Sequence, residues 1–117
     1  MTEHPESLED RTADFAADVR AFARALPRTV ANIEDVKQLV RASGSVAANC
    51  IEGNEALGGK DRVMRFRICR KEARESALWL RLVHTAGAGA LDRQRETLLG
   101  EARELRLILS AIIKKLE

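Results

Sequence analysis

The chain is short of the residues that favour β-sheets. It has one tryptophan, three phenylalanines, no tyrosine and two prolines among 117 residues, and it lacks runs of β-branched residues. Leucine, alanine, valine and isoleucine supply the apolar side chains, and charged residues make up 32% of the chain. This composition favours helices over strands.

Histidine and cysteine are equally scarce. The only histidines are His4 in the N-terminal tail and His84 near a predicted helix end, which leaves no metal-ligand spacing and no Ser-His-Asp or Cys-His arrangement. Cys50 and Cys69 have apolar neighbours in the helical pattern, so we interpret them as reduced core thiols, with a disulfide between helices as the alternative. We therefore expect no enzymatic activity, no metal and no cofactor.

Long apolar runs are absent too. No stretch approaches the roughly 20 apolar residues of a membrane-spanning helix, and the charged N-terminus lacks the apolar core of a signal peptide. We expect a cytoplasmic protein with no membrane partner. The net charge of +2 is modest but unevenly distributed, because the first helical segment is acidic and the third is strongly basic.

The chain does contain clear helical periodicity. Apolar residues recur at steps of three and four in four segments, which predicts helices at about 6–26, 32–55, 60–86 and 91–116. The predicted core stripes are Leu8, Thr12, Phe15, Val19, Phe22 and Leu26 in the first helix, Phe66, Cys69, Ala73, Ser76, Leu80 and Val83 in the third, and Leu98, Ala102, Leu105, Leu109, Ile112 and Leu116 in the fourth. Four helices with short links predict one domain over residues 1–117, an all-α antiparallel up-and-down four-helix bundle.

Glycine and polar residues mark the predicted helix ends. Asn32 is predicted to cap the second helix, Gly53 to begin the break after it, and Gly87 to end the third. The small residues around Gly44 lower helix propensity, so we expect a neighbouring helix backbone to pack closely there. The last helix has a wider apolar face than one bundle groove needs, which favours a central position or a subunit contact.

The third helix carries a cationic stripe with helical spacing. Its members are Lys60, Arg67, Lys71, Arg74 and Arg81, and further charge nearby comes from Arg62, Arg65 and Arg70. Such a stripe can follow a polyanion and contact its phosphates, with salt-dependent affinity and little sequence readout. Aromatic residues are nearly absent from it, which argues against reading single strands by base stacking. The alternative is a solvated face, or pairing with the acidic first helix of a neighbouring subunit.

Two pairs of polar residues are further candidates for a site. Asn49 and Glu52 lie one turn apart on the second helix, and Glu72 and Glu75 lie one turn apart on the third. We interpret all four as structural: the first pair bonds to the hairpin backbone or to an arginine of the third helix, and the second pair forms salt bridges with arginines. A small polar site and a cation held by two carboxylates are the alternatives, although no Glu-x-x-His companion exists.

A family pattern spans residues 38–84. It consists of Arg41, Ser45, Val46, Asn49 and Glu52, then Ile68 with Lys71-Glu72-Ala73-Arg74-Glu75-Ser76, then Trp79-Leu80-Arg81-Leu82. With these residues the chain resembles a bacterial family of four-helix-bundle proteins. This family includes proteins encoded in intervening sequences of 23S ribosomal RNA and accessory proteins of diversity-generating retroelements. Leu78, where relatives often carry tyrosine, and Ala47-Ala48 depart from the pattern.

The resemblance implies more about assembly than about chemistry. Relatives form up-and-down bundles, some of them homopentamers, and the retroelement accessory proteins are basic and bind nucleic acid and a reverse transcriptase. We therefore expect a non-enzymatic homo-oligomer, with five subunits favoured, that acts as a nucleic-acid-associated accessory or scaffold protein. RNA or DNA is the expected partner, and a protein such as a reverse transcriptase is a further candidate. The alternative is a structural or protein-interaction module with no nucleic-acid role.

Overall fold

The structure, a computed structural model, describes residues 6–117, so His4 lies outside the described residues. The chain forms four α-helices: α1 Leu8–Arg24, α2 Val30–Glu55, α3 Gly59–Leu82 and α4 Gly89–Leu116. Each helix packs against its neighbours in the sequence, and α4 closes the bundle against α1. The predicted all-α up-and-down four-helix bundle is confirmed, and no strand occurs in residues 6–117. None of these four helices has the length and apolar character needed to cross a bilayer.

The core lies on the stripes that the periodicity predicted. Every predicted core residue of α3 is buried, and so is Val83 directly after the helix. In α1 only Leu8 remains partly exposed. The last turn of α4 differs, because Ile113 is buried in place of Ile112 and Leu116 is 38% exposed. The predicted stripe assumed a 3.5-residue repeat, and a straight helix drifts away from that repeat by about 20° per heptad.

The N-cap of α2 is not the predicted residue, Asn32. Thr29 is the N-cap, and its hydroxyl accepts a hydrogen bond from the N–H of Asn32 at 3.1 Å. Asn32 itself is buried, and its amide nitrogen donates to the carbonyl oxygens of Pro27 at 2.9 Å and His84 at 2.8 Å. Its amide oxygen accepts from the N–H of His84 at 2.8 Å. Asn32 therefore ties the α1–α2 connection to the α3–α4 connection at one end of the bundle.

The end of α3 also differs from the prediction. The helix stops at Leu82, Gly87 lies in the following connection with φ +73°, and Gly89 is already the first residue of α4. The last carbonyl groups of a helix need outside donors. Here Arg95 of α4 supplies them, since its guanidinium donates to the carbonyl oxygens of Leu80 at 3.3 Å, Arg81 at 3.2 Å and Val83 at 2.9 Å.

The closest approach between helices occurs at Gly53, not at Gly44. Gly53 lies inside α2, and a Cβ atom there would stand 2.9 Å from the ring of Phe66 on α3. A Cβ atom on Gly44 would meet only the guanidinium of Arg20, at 3.1 Å. The prediction of tight packing at Gly44 is wrong, because this position faces the flexible end of a side chain on α1 and no helix backbone.

Candidate nucleic-acid interface

All five cations of the predicted stripe are exposed on α3. Four of them, Lys60, Arg67, Arg74 and Arg81, repeat every seven residues, so successive members stand about 10.5 Å apart along the helix axis. Seven residues are close to two turns, so these four form a nearly straight row roughly 30 Å long. We call them the cationic row; Lys71 stands beside it.

The second half of the cationic row forms one wall of a groove between α3 and α4. The residues that line this groove are Lys71, Arg74, Glu75, Ala77, Leu78 and Arg81 of α3 and Arg106 of α4. We call this set the α3/α4 groove. Four of its side chains are cationic and one is acidic, so the groove concentrates positive potential.

Arg106 is the groove residue that the sequence did not reveal. A hydrogen bond of 3.3 Å from the guanidinium of Arg70 to the hydroxyl of Ser110 shows the register of the antiparallel pair α3 and α4. In that register Arg106 of α4 lies level with Arg74 of α3. Periodicity within one helix identifies its buried face but not its register against another helix, so no sequence signal links these two arginines.

Some cations near the row are already engaged within the chain. Arg67 forms an ion pair with the carboxylate of Glu117. The guanidinium of Arg62 donates to the carbonyl oxygens of Gly53 at 3.3 Å and Ala56 at 3.1 Å, which fastens the connection between α2 and α3. Within the predicted stripe, Lys71, Arg74 and Arg81 of the α3/α4 groove form no ion pair among the described residues, and neither does Lys60 at the start of α3.

The acidic helix α1 lies across the bundle from α3. It packs against α2 and α4, and no packing joins it to α3. The guanidinium of Arg11 on α1 donates two hydrogen bonds to the carboxylate of Glu101 on α4, both 2.8 Å long. Any pairing between the acidic helix and the cationic row therefore requires a second copy of the chain.

Asn49 and Glu52 do not make the bonds that the sequence predicted. The amide nitrogen of Asn49 donates to the carbonyl oxygen and to the hydroxyl of Ser45, both at 3.0 Å, so its contacts stay within α2. Glu52 is exposed and forms no hydrogen bond or ion pair with another side chain in the described part of the chain. The hairpin backbone is bound by Arg62 instead.

Glu72 and Glu75 also lack the predicted salt bridges, since no cationic group within residues 6–117 lies at ion-pair distance from either carboxylate. Glu72 is only 6% exposed, and its Oε2 atom is buried without a hydrogen-bond partner. Burial raises the pKa of Glu72, the charge of Glu75 raises it further, and Arg41 and Lys71 oppose the shift. A carboxylate placed in this way disfavours its own charged form.

The two cysteines are buried free thiols, as predicted. The thiol of Cys69 donates to the carbonyl oxygen of Val46 at 3.1 Å, and burial raises the pKa of Cys69 to about 12. A thiol with such a pKa is a poor nucleophile at neutral pH. Among the residues that the structure describes, no three His, Cys, Asp or Glu side chains cluster in a way that could hold a metal ion.

The family follows from a comparison with protein-family models. The model for the 23S rRNA-intervening sequence protein matches residues 8–111, which include all four helices up to the last turn of α4. The chain belongs to the 23S rRNA-intervening sequence protein family. The resemblance found in residues 38–84 is thereby confirmed. A comparison with curated proteins gives no match.

A solved structure supports the same assignment for this family member. It is the crystal structure of a protein with unknown function from the S23 ribosomal protein family of Bacteroides thetaiotaomicron. The two chains are 25% identical and superpose with a TM-score of 0.80, and the match covers 92% of this chain and 99% of that one. The bundle is therefore shared over nearly the whole length of both proteins.

Proposed function

We propose that this member of the 23S rRNA-intervening sequence protein family is a non-enzymatic, homo-oligomeric accessory or scaffold protein that binds nucleic acid. The observation that carries the proposal is the α3/α4 groove, where Lys71, Arg74, Arg81 and Arg106 converge from two helices with a single acidic neighbour. The family name adds support, since it refers to sequences within ribosomal RNA.

The binding would be electrostatic and independent of sequence. Lysine and arginine side chains that neutralise phosphates release the counterions condensed on the nucleic acid, and this release supplies most of non-specific affinity. The groove presents four cationic side chains and no amide side chain, and contacts from such cations to phosphates position a backbone without reading its sequence.

The test is a fluorescence-anisotropy titration with generic RNA and DNA over a range of salt concentrations. Replacing Lys71, Arg74 and Arg81 together by glutamine should weaken binding to all sequences alike and flatten the slope of log affinity against log salt by up to about 2.7. The matched control replaces three exposed cations that do not line the groove, Arg24, Arg28 and Lys37, with the same loss of formal charge. An unchanged slope in the groove variant would exclude the groove as the binding site.

A second candidate is a protein-interaction module with no nucleic-acid role, whose partners are copies of itself or a protein such as a reverse transcriptase. It is favoured by the apolar side chains that the monomer leaves in solvent, among them Leu78, 44% exposed in the groove, and Leu82, 55% exposed at the end of α3. Failure of the unmodified protein to bind RNA or DNA even at low salt would select this candidate.

A further inference from the structure

We infer that the nucleic acid recognised by the α3/α4 groove is double-stranded, and that single strands are bound less tightly. The inference rests on the proposed function and concerns the form of the nucleic acid rather than its sequence. It depends on two features of the chain: where its aromatic rings lie and how its groove cations are spaced.

The aromatic rings are all withdrawn from the groove. The three phenylalanines, Phe15, Phe22 and Phe66, are at most 4% exposed and belong to the core. The one tryptophan, Trp79, is partly buried against the same core and does not line the groove. Proteins that prefer single strands gain much of their affinity from stacking bases on exposed aromatic rings. This chain cannot gain that contribution at the groove.

With stacking on aromatic rings excluded, affinity depends mainly on counterion release, which is larger for a duplex. The slope of log affinity against log salt is about −0.9 per phosphate contact for a duplex and about −0.7 for a single strand. For four groove cations the two slopes differ by about 0.8. Taking the affinities for the duplex and the single strand as equal at 1 M salt, the affinity for the duplex is about sixfold higher at 0.1 M.

The rigidity of the groove acts in the same direction. Arg74 and Arg81 are fixed about 10.5 Å apart along α3, and Arg106 is held on the neighbouring helix by the packing of α3 against α4. A duplex presents phosphates that are already ordered, whereas a flexible single strand loses conformational freedom when it follows a fixed array.

The experiment compares a fluorescently labelled mixed-sequence RNA duplex of about 20 base pairs, longer than the cationic row of roughly 30 Å, with one of its strands alone. Anisotropy titrations between 50 mM and 200 mM salt should give a Kd about sixfold lower for the duplex at 0.1 M and a steeper salt dependence. Equal or tighter binding of the single strand would overturn the inference and leave the proposed function standing. The same comparison is made with DNA of the same sequence, and if none of the four probes binds at 50 mM salt, the proposed function fails, and the inference fails with it.

Two variants make the assignment specific to the groove. Arg106→Gln should reduce the duplex salt slope by about 0.9. Arg93→Gln, which removes a cation on the α1 side of α4, should leave this slope unchanged.

Leu78→Tyr places an aromatic ring at a groove position that is 44% exposed. It should raise single-strand affinity at least fivefold relative to the duplex, because one stacked base is worth that much or more. A Leu78→Tyr variant with unchanged preference would contradict the role assigned to stacking.

Discussion

Individual side chains decide how much of the formal charge is available to a partner. The chain has 20 lysines and arginines, but several guanidinium groups bind within the fold. Arg62 holds the α2–α3 connection, Arg95 satisfies the end of α3, and Arg11 links α1 to α4. Each of these arginines donates two or more hydrogen bonds, which a planar guanidinium does better than an ammonium group. Within α3, the cations that form no such bond lie mainly in the α3/α4 groove.

Glu72 leads to a prediction about pH. Its pKa is raised in the folded protein, so the native state holds the proton more tightly than the unfolded state does. The favourable contribution of this group is complete below the unfolded pKa, near the ordinary glutamate value, and it is lost as pH rises through the folded pKa. Glu72→Gln removes the buried charge and should raise the Tm at pH 7.5, with a gain that shrinks towards pH 4.

The control for this prediction is Glu52→Gln on α2, an exposed carboxylate with no partner among the described side chains. It should change the Tm little at either pH. Thermal unfolding followed by circular dichroism at pH 4 and 7.5 measures both variants. A loss of Tm in Glu72→Gln that is the same at both pH values would show that the carboxylate holds the helices together through a bond that the amide cannot replace.

At the scale of a helix, two glycines of α2 have opposite expected effects. In Gly53→Ala the new methyl group must displace the ring of Phe66, since it would stand 2.9 Å away. Overpacking of this kind costs typically about 1–3 kcal/mol. In Gly44→Ala the methyl group meets only the mobile end of Arg20, so the higher helix propensity of alanine should stabilise the protein by up to about 1 kcal/mol.

Urea unfolding at equilibrium compares these two variants directly. Both substitutions add one methyl group inside the same helix, so each is the control for the other. Gly53→Ala should unfold at a lower urea concentration than the unmodified protein, and Gly44→Ala at the same or a higher one. The reverse order would mean that the close approach of α2 to a neighbour occurs at Gly44, as the sequence alone predicts.

The sequence predicted what depends on a single helix. Phe15, Val19 and Phe22 of α1 are buried as predicted, because a stripe of apolar side chains identifies the face that a helix must cover. Contacts between distant segments were not predictable in this way. Asn32 binds the backbone of His84, 52 positions away, and an asparagine that caps a helix looks the same in the sequence as one that joins two connections.

The candidate site was likewise predictable in the part that depends on one helix and not in the part that depends on helix packing. The cationic row follows from spacing within α3, so its members could be named from the sequence and all are exposed. Arg106 joins them only because α4 packs against α3 in one register, fixed by contacts such as that between Arg70 and Ser110. The predicted ion pairs of Glu72 and Glu75 were wrong for a related reason, since spacing along α3 does not show whether a cation comes within ion-pair distance, and none does in the described residues.

At the scale of the whole molecule, the exposed surface of α3 has two parts of different character. One part is the α3/α4 groove. Beside it, an apolar stripe continues outside the core, formed by Met64 and Leu82, which are 48% and 55% exposed, and by Ile68 and Trp79, which are partly buried. An apolar stripe on a small protein is typical of a contact surface. The acidic helix α1, which has no contact with α3 in its own chain, can reach the cationic row only in a neighbour.

These features predict a closed homo-oligomer, and the family resemblance favours five subunits. A ring buries the apolar stripe of each copy against the next and leaves no open end. Size-exclusion chromatography with light scattering at micromolar concentration should give a multiple of 13.0 kDa. Leu82→Glu should shift the mass towards the monomer, because it places a charge within the stripe. Leu57→Glu, at a fully exposed position in the α2–α3 connection, should not. A mass near 13.0 kDa for the unmodified protein would exclude the assembly, and the groove would then have to act on a single bundle.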